Sequence, residues 1–242
     1  MRYGSFIVRV DQLGHRLAST AEAVVDEPVP TCPGWTVRDV VRHVAEVYEH
    51  KIACTELQRS PDPWPPAWPD RDPIDWLRDA HARLLAMFHT HEPADPSATW
   101  WPADQTVGFW ARRMAHETAI HGVDAELAAG RSMALDAELA VDGIDEILTI
   151  MLAGDWSDAP SAESVGRRVA VASEDRTWVV TLDRLSTDVV EGTADDVSTT
   201  VAGEPSSVDL WLWGRASDDA IEMRGSADEI QLLRSRLALA TQ

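Results

Sequence analysis

The sequence predicts a helical bundle followed by a small, separate α+β domain. Three observations predict it. Apolar residues recur at helical spacing through roughly the first 155 positions. Short β-branched runs divided by turn residues take over afterwards. A stretch rich in Gly, Asp, Ser and Pro near 155–165 lies between the two textures, as a domain boundary does. We therefore expect domains at 1–155 and 160–242.

The elements follow in order. Phe6, Ile7, Val10, Leu13 and Leu17 mark a first helix near 5–25. Pro28 to Trp35 is a turn-rich connector. Thr36 with Asp39 three residues on is an N-cap with acidic support, so a second helix should run to about residue 58. Residues 60–73 hold too many prolines for a regular helix and form a surface loop. Trp76, Leu77, Ala80, Leu84, Met87 and Phe88 mark a third helix, and a Pro/Trp-rich loop covers 93–106. A fourth helix spans about 107–129 and stops at Gly130. Leu135 to Leu152 is a fifth amphipathic stretch. Runs beginning at Arg168 and Thr177, separated by Glu174–Arg176, predict a hairpin. Strands at 187–191, 197–201 and 220–224 and helices at 206–215 and 227–239 complete the chain.

The balance of charge narrows the function. With a formal net charge of −20, the chain repels phosphate backbones, so no nucleic-acid partner is expected. No apolar run approaches the roughly 18 residues of a membrane span, so no membrane partner is expected either. Arg9 and Asp11 stand where a signal peptide would be apolar, and a cytoplasmic location is the expectation. Cys32 and Cys54 make no disulfide framework, and neither has the neighbours of a closed zinc knuckle.

The segment Arg112 to Glu126 carries the chemistry. His116 and His121 are five apart, which turns them roughly 140° from each other on a straight helix, so they cannot share an ion. Glu117 and His121 are four apart and lie on one face. That pair can chelate, given a third ligand from another helix. His43, set among Val40, Val41, Val44 and Val47, is the candidate, with His50 as an alternative two turns later. Two imidazoles and a carboxylate leave a coordination position open, as catalytic sites do. The same set also fits a non-haem iron triad, and a helical Glu/His pair is common on solvated faces.

Three segments resemble the mycothiol-dependent maleylpyruvate isomerase family of the DinB-like superfamily. They are Thr31 to His43, Arg113 to Glu126 and Leu210 to Arg215. The resemblance implies a DinB-like up-and-down four-helix bundle followed by a sterol-carrier-like α/β domain. It implies metal ligands at His43, Glu117 and His121, with Zn2+ or another divalent metal as cofactor, and a functional arginine at Arg215. It also implies a mycothiol-like thiol cosubstrate and an electrophilic small-molecule substrate, joined by a thiol-dependent transferase or isomerase. Two alternatives stay open: a zinc-dependent hydrolase on the same bundle, and a non-catalytic protein that binds zinc or a small ligand.

Other residues have two readings each. Trp64, Trp68, Trp100, Trp101 and Trp110 either wall an apolar cleft or fasten loops to the bundle. Trp35 reads as structural and Cys32 as a small packed residue. Asp124 and Glu126 either orient an imidazole or belong to a solvated helix end. Trp211 and Trp213 sit at a domain interface or in a core.

Overall fold

A computed structural model describes residues 1–67 and 70–241; Trp68 lies outside the described residues. The chain divides into two compact units, Met1–Met133 and Ala134–Gln242.

The first unit holds α1 (Tyr3–Val24), α2 (Val37–Leu57), α3 (Pro73–Thr90) and α4 (Val107–Ala128). Local chemistry sets where three of them begin. The Asp39 carboxylate accepts from the Thr36 N–H at 2.8 Å and the Thr36 hydroxyl at 2.7 Å, which closes the first turn of α2. Asp72 accepts from the N–H groups of Ile74 and Asp75, with Pro73 at the first position of α3, where its missing N–H costs nothing. Thr106 accepts from the N–H of Phe109 at the start of α4. The loops before α2 and α4 are each closed by a single antiparallel bridge, Pro28 to Thr36 and Pro96 to Thr106. Gly34, at φ +86°, makes the turn that the first of these loops needs.

α4 is the central helix of this unit. Almost every side chain from Val107 to Glu126 is buried, so the helix has no solvated face. Arg113, His116, Glu117, Thr118, His121, Asp124 and Glu126 are among them. Polar groups at such depth must be paired. Glu126 meets this need away from any imidazole. It accepts from Arg16 at 2.8 Å, Thr20 at 3.1 Å and Arg131 at 2.6 Å, which corrects both readings the sequence allowed for it.

The second unit is built on a six-stranded sheet of order β1-β4-β3-β2-β5-β6. Its strands are β1 (Gly154–Asp155), β2 (Arg167–Ser173), β3 (Arg176–Leu182), β4 (Ser186–Glu191), β5 (Thr200–Ala202) and β6 (Glu222–Arg224). β2 and β3 form the expected hairpin, with Glu174 at φ 52° in its turn, and β2 pairs β5 in parallel. Val169, Val171, Val180, Leu182 and Val201 fill the sheet's covered side with Leu233 and Leu237 of α7 (Ala227–Ala240). α6 (Pro205–Leu212) ends before Gly214, at φ +76°, three residues earlier than its predicted limit. Trp211 is fully buried in this unit, its Nε1 donating to Asp218.

The fifth helix, grouped with the bundle from sequence, lies in the second unit instead. α5 (Ala137–Glu146) runs on into a π-helical turn at Ile147–Leu152. Asp145 on α5 accepts from Trp178 Nε1 and Arg176 Nη2, both at 3.0 Å, and so ties the helix to β3. At Gly143 a Cβ would stand 2.5 Å from an oxygen of Asp209 on α6, so only glycine permits this approach. Periodicity announces an amphipathic helix but not the surface its apolar stripe covers, so the unit boundary falls earlier than 155.

Candidate metal centre

His43 on α2 and Glu117 and His121 on α4 converge within the first unit. One nitrogen or oxygen from each lies within 4.8 Å of the others. His43 Nε2 is 3.1 Å from Glu117 Oε1, and His121 Nε2 is 3.4 Å from the same oxygen. Ligands about 2 Å from one tetrahedral ion are roughly 3.3 Å apart, so the spacing of these donors fits a divalent cation.

The surroundings aim the donors inward. His121 Nδ1 is 2.9 Å from Asp124 Oδ2, three residues on in α4. With Nδ1–H donated to that carboxylate, Nε2 is the nitrogen turned toward Glu117, and it can offer a lone pair to an ion once its proton is lost. Asp124 is itself fully buried and fixed by the Thr31 hydroxyl, which donates at 2.5 Å, and by the Cys32 thiol at 3.6 Å. The loop from Pro28 to Thr36 therefore reaches the centre through its polar residues. Trp35 lies almost parallel to the His121 ring at 6.5 Å and edge-on to His43 at 5.2 Å, so a residue read as merely structural walls both imidazoles.

The second oxygen of Glu117 is held by Arg113, one turn earlier on α4 and equally buried. Burial alone would raise the Glu117 pKa, but Arg113 and His121 outweigh it and hold the carboxyl well below its ordinary range. Burial would likewise lower His121, yet Glu117 and Asp124 carry it up to about 9. In the metal-free chain the centre therefore holds a proton where two carboxylates call for a cation. Sequence reasoning passed over Arg113, although its spacing from Glu117 places the two on one face.

The remaining candidates lie elsewhere. His116 is buried against Phe6, with ring centroids 6.1 Å apart, and stands outside the converging set. His50 contacts Lys51, Cys54 and Trp64 rather than the centre. Arg215 belongs to the second unit, where its Nη1 donates to the carbonyl of Trp213 at 2.6 Å just past the end of α6.

A helical unit with two imidazoles and a carboxylate turned onto one point, followed by a small mixed-sheet unit, defines a two-domain protein whose helical unit carries an N/O-donor centre. Residues 9–126 match the model of the mycothiol maleylpyruvate isomerase N-terminal domain, and residues 138–232 match that of the C-terminal domain of the same proteins. The chain belongs to the mycothiol-dependent maleylpyruvate isomerase family. It is similar in fold to the crystal structure of the mycothiol-dependent maleylpyruvate isomerase, with a TM-score of 0.62, 12% identity, and coverage of 92% of this chain and 93% of that one. A histidine-to-alanine mutant of that isomerase superposes with a TM-score of 0.57 at 13% identity, covering 92% of this chain and 93% of the mutant. A UbiJ-SCP2 ubiquinone synthesis protein matches over 45% of this chain and 96% of its own length at 18% identity, with a TM-score of 0.31. No curated protein matches the chain. Among the described residues, no helix is long and apolar enough to cross a membrane.

Proposed function

We propose that this chain is a metal-dependent enzyme in which a low-molecular-weight thiol, mycothiol or one like it, adds to an electrophilic small molecule. If the thiolate adds, allows bond rotation and departs, the outcome is cis–trans isomerisation. If the adduct instead takes up a proton on carbon, the sulfur stays bound and the outcome is S-transfer. The observation that carries this reading is the convergence of His43, Glu117 and His121, with Asp124 fixing the tautomer of His121. Membership of a family named for a thiol-dependent isomerase supports the choice of thiol chemistry over hydrolysis.

His43 Nε2, Glu117 Oε1 and His121 Nε2 would hold zinc or another divalent ion. The ion, when bound, stabilises a thiolate whose free pKa is about 8.5, and so supplies the reactive form at neutral pH. The chain's own residues do the rest. Arg113 neutralises the outer oxygen of Glu117 and keeps the carboxylate pointed inward. Trp35 stands beside both imidazoles and gives the centre one apolar wall. Arg215 is proposed, from the resemblance of Leu210 to Arg215, to hold a polar or anionic group of the substrate by its planar fork.

The test is a panel of thiols with an activated alkene on metal-loaded protein, run on the wild type and on Arg215→Lys. Turnover that requires added thiol is the expected result, and thiol-independent hydrolysis would overturn the reading. Arg215→Lys should lower kcat/KM with its melting temperature unchanged. A lowered melting temperature with unchanged kinetics would instead leave Arg215 as a cap on the carbonyls that end α6.

A further inference from the structure

Lys51 is the only lysine in a chain with 41 acidic residues. The residue is half-buried, yet its ammonium has no carboxylate at ion-pair distance among the described residues. It stands 4.6 Å from the centre of the Trp110 ring and 5.4 Å from that of Trp100, and it meets His50 Nδ1 at 3.2 Å. Burial and the neighbouring cation push His50 down to about 4, so its neutral ring accepts from the ammonium instead of repelling it. Burial lowers Lys51 itself to about 8. Glu117 and Cys54 pull it upward, and Arg113 pushes it down. The aromatic walls are themselves anchored: Trp110 Nε1 donates to Ser97 at 2.9 Å, and the Trp100 ring packs edge-on against Phe109 while remaining 47% exposed.

This cation shares a seam with the metal centre. His43 on α2 meets Glu117 on α4, while Lys51, further along α2, meets Trp110, two turns before Glu117 on α4. At 1.5 Å of rise per residue, the two contacts are about 10 to 12 Å apart along the helices. The exposed Trp100 face, beside an ammonium with no carboxylate at ion-pair distance among the described residues, suits a ligand with an apolar chain and a terminal anion, while the buried Trp110 ring backs the ammonium from within.

We propose that Lys51 is the anion-binding end of this seam, its ammonium holding a carboxylate of the electrophile whose reactive carbon faces His43, Glu117 and His121. The reacting end rests on the proposed thiol-dependent function; the anion contact does not. In the competing structural role, the lysine only fastens α4 and the loop before it to α2 through its two ring contacts.

Adipate, a six-carbon dicarboxylate, is the probe, and its neutral dimethyl ester the control. Both are titrated into metal-loaded protein at a pH of about 6.5, where the ammonium is charged. Binding is read by tryptophan fluorescence and by calorimetry, with metal content measured alongside. Adipate should bind and the diester should not. Lys51→Met should weaken adipate by at least about tenfold with its metal retained, and Lys51→Arg should restore most of the binding. Wild type that fails to bind adipate would overturn the proposal, as would a Lys51→Met variant that binds it as tightly as wild type and merely melts earlier. If thiol-dependent turnover is absent while Lys51-dependent adipate binding persists, the proposed function fails and the anion site stands. If turnover is present and adipate binding is indifferent to Lys51, the anion site fails and the proposed function stands.

Discussion

The first unit contains two triads with the same arrangement in sequence and opposite surroundings. On α4, Glu117 and His121 are four apart and His43 joins them from α2; on α1, Asp11 and His15 are four apart and His81 joins them from α3. The ring spacings are nearly the same, 5.0 Å between His43 and His121 and 5.2 Å between His15 and His81. Their environments differ. The side chains of Glu117 and His121 are each 11% exposed, whereas those of Asp11 and His15 are 51% and 75% exposed. His121 turns Nε2 inward because Asp124 takes its Nδ1–H. His81 has its Nε2 on the backbone carbonyl of Val10 at 3.0 Å, in a space that only glycine at position 14 leaves open. The contrast teaches that an acid–histidine pair one turn apart is suited to ligate an ion only where a further partner fixes the lone pairs and burial raises the value of a cation.

Breaking the buried triad should have the largest effect. Glu117→Gln removes the charge that faces the buried Arg113 guanidinium, and should cost about 3–5 kcal/mol of stability in the metal-free protein, read by denaturant unfolding. Asp11→Asn in the exposed triad should change stability by less than about 0.5 kcal/mol. Equal losses at the two sites would erase the distinction between them.

A pH series sharpens it next. The folded pKa of His121 is raised, so its contribution is fully present below the unfolded value of 6.5 and is lost as pH rises through about 9. That shift corresponds to roughly 3 kcal/mol. Glu117 acts in the opposite sense: its lowered folded pKa stabilises above the unfolded value of 4.5, and the gain is lost as pH falls through the folded one. Metal-free protein should therefore lose stability between about pH 6.5 and 9, and His121→Gln should flatten that limb. A wild-type limb unchanged by this substitution would place the proton elsewhere. A smaller effect is expected at Asp124. Asp124→Asn should weaken metal binding by about 10- to 100-fold while leaving all three ligands in place, as measured by competition with a chelator.

Much of this architecture was legible in the sequence because its signals are local. Thr36 and Asp39 announced the start of α2, Gly130 lies just past the end of α4, and the β-branched runs on either side of Glu174 gave the hairpin. Helical geometry alone separated His116 from Glu117 and His121. What escaped depends on which surfaces meet. α5 packs closely on α6 at Gly143 and is tied to β3 through Asp145, and no periodicity states that. Trp35 reaches the imidazoles because the Pro28–Thr36 bridge folds its loop back, a contact set by tertiary structure. Arg113 was within reach of the same one-turn rule that paired Glu117 with His121, but arginines on helices are ordinarily solvated, and its burial became visible only once α4 proved central.

The buried triad, and not its exposed counterpart, is proposed to hold a divalent ion. Elemental analysis of wild type, His43→Ala and His15→Ala, each purified without chelator, tests it most directly. The expected result is about one equivalent of metal in the wild type and in His15→Ala, and almost none in His43→Ala. Full occupancy in His43→Ala, or loss of the ion in His15→Ala alone, would contradict it.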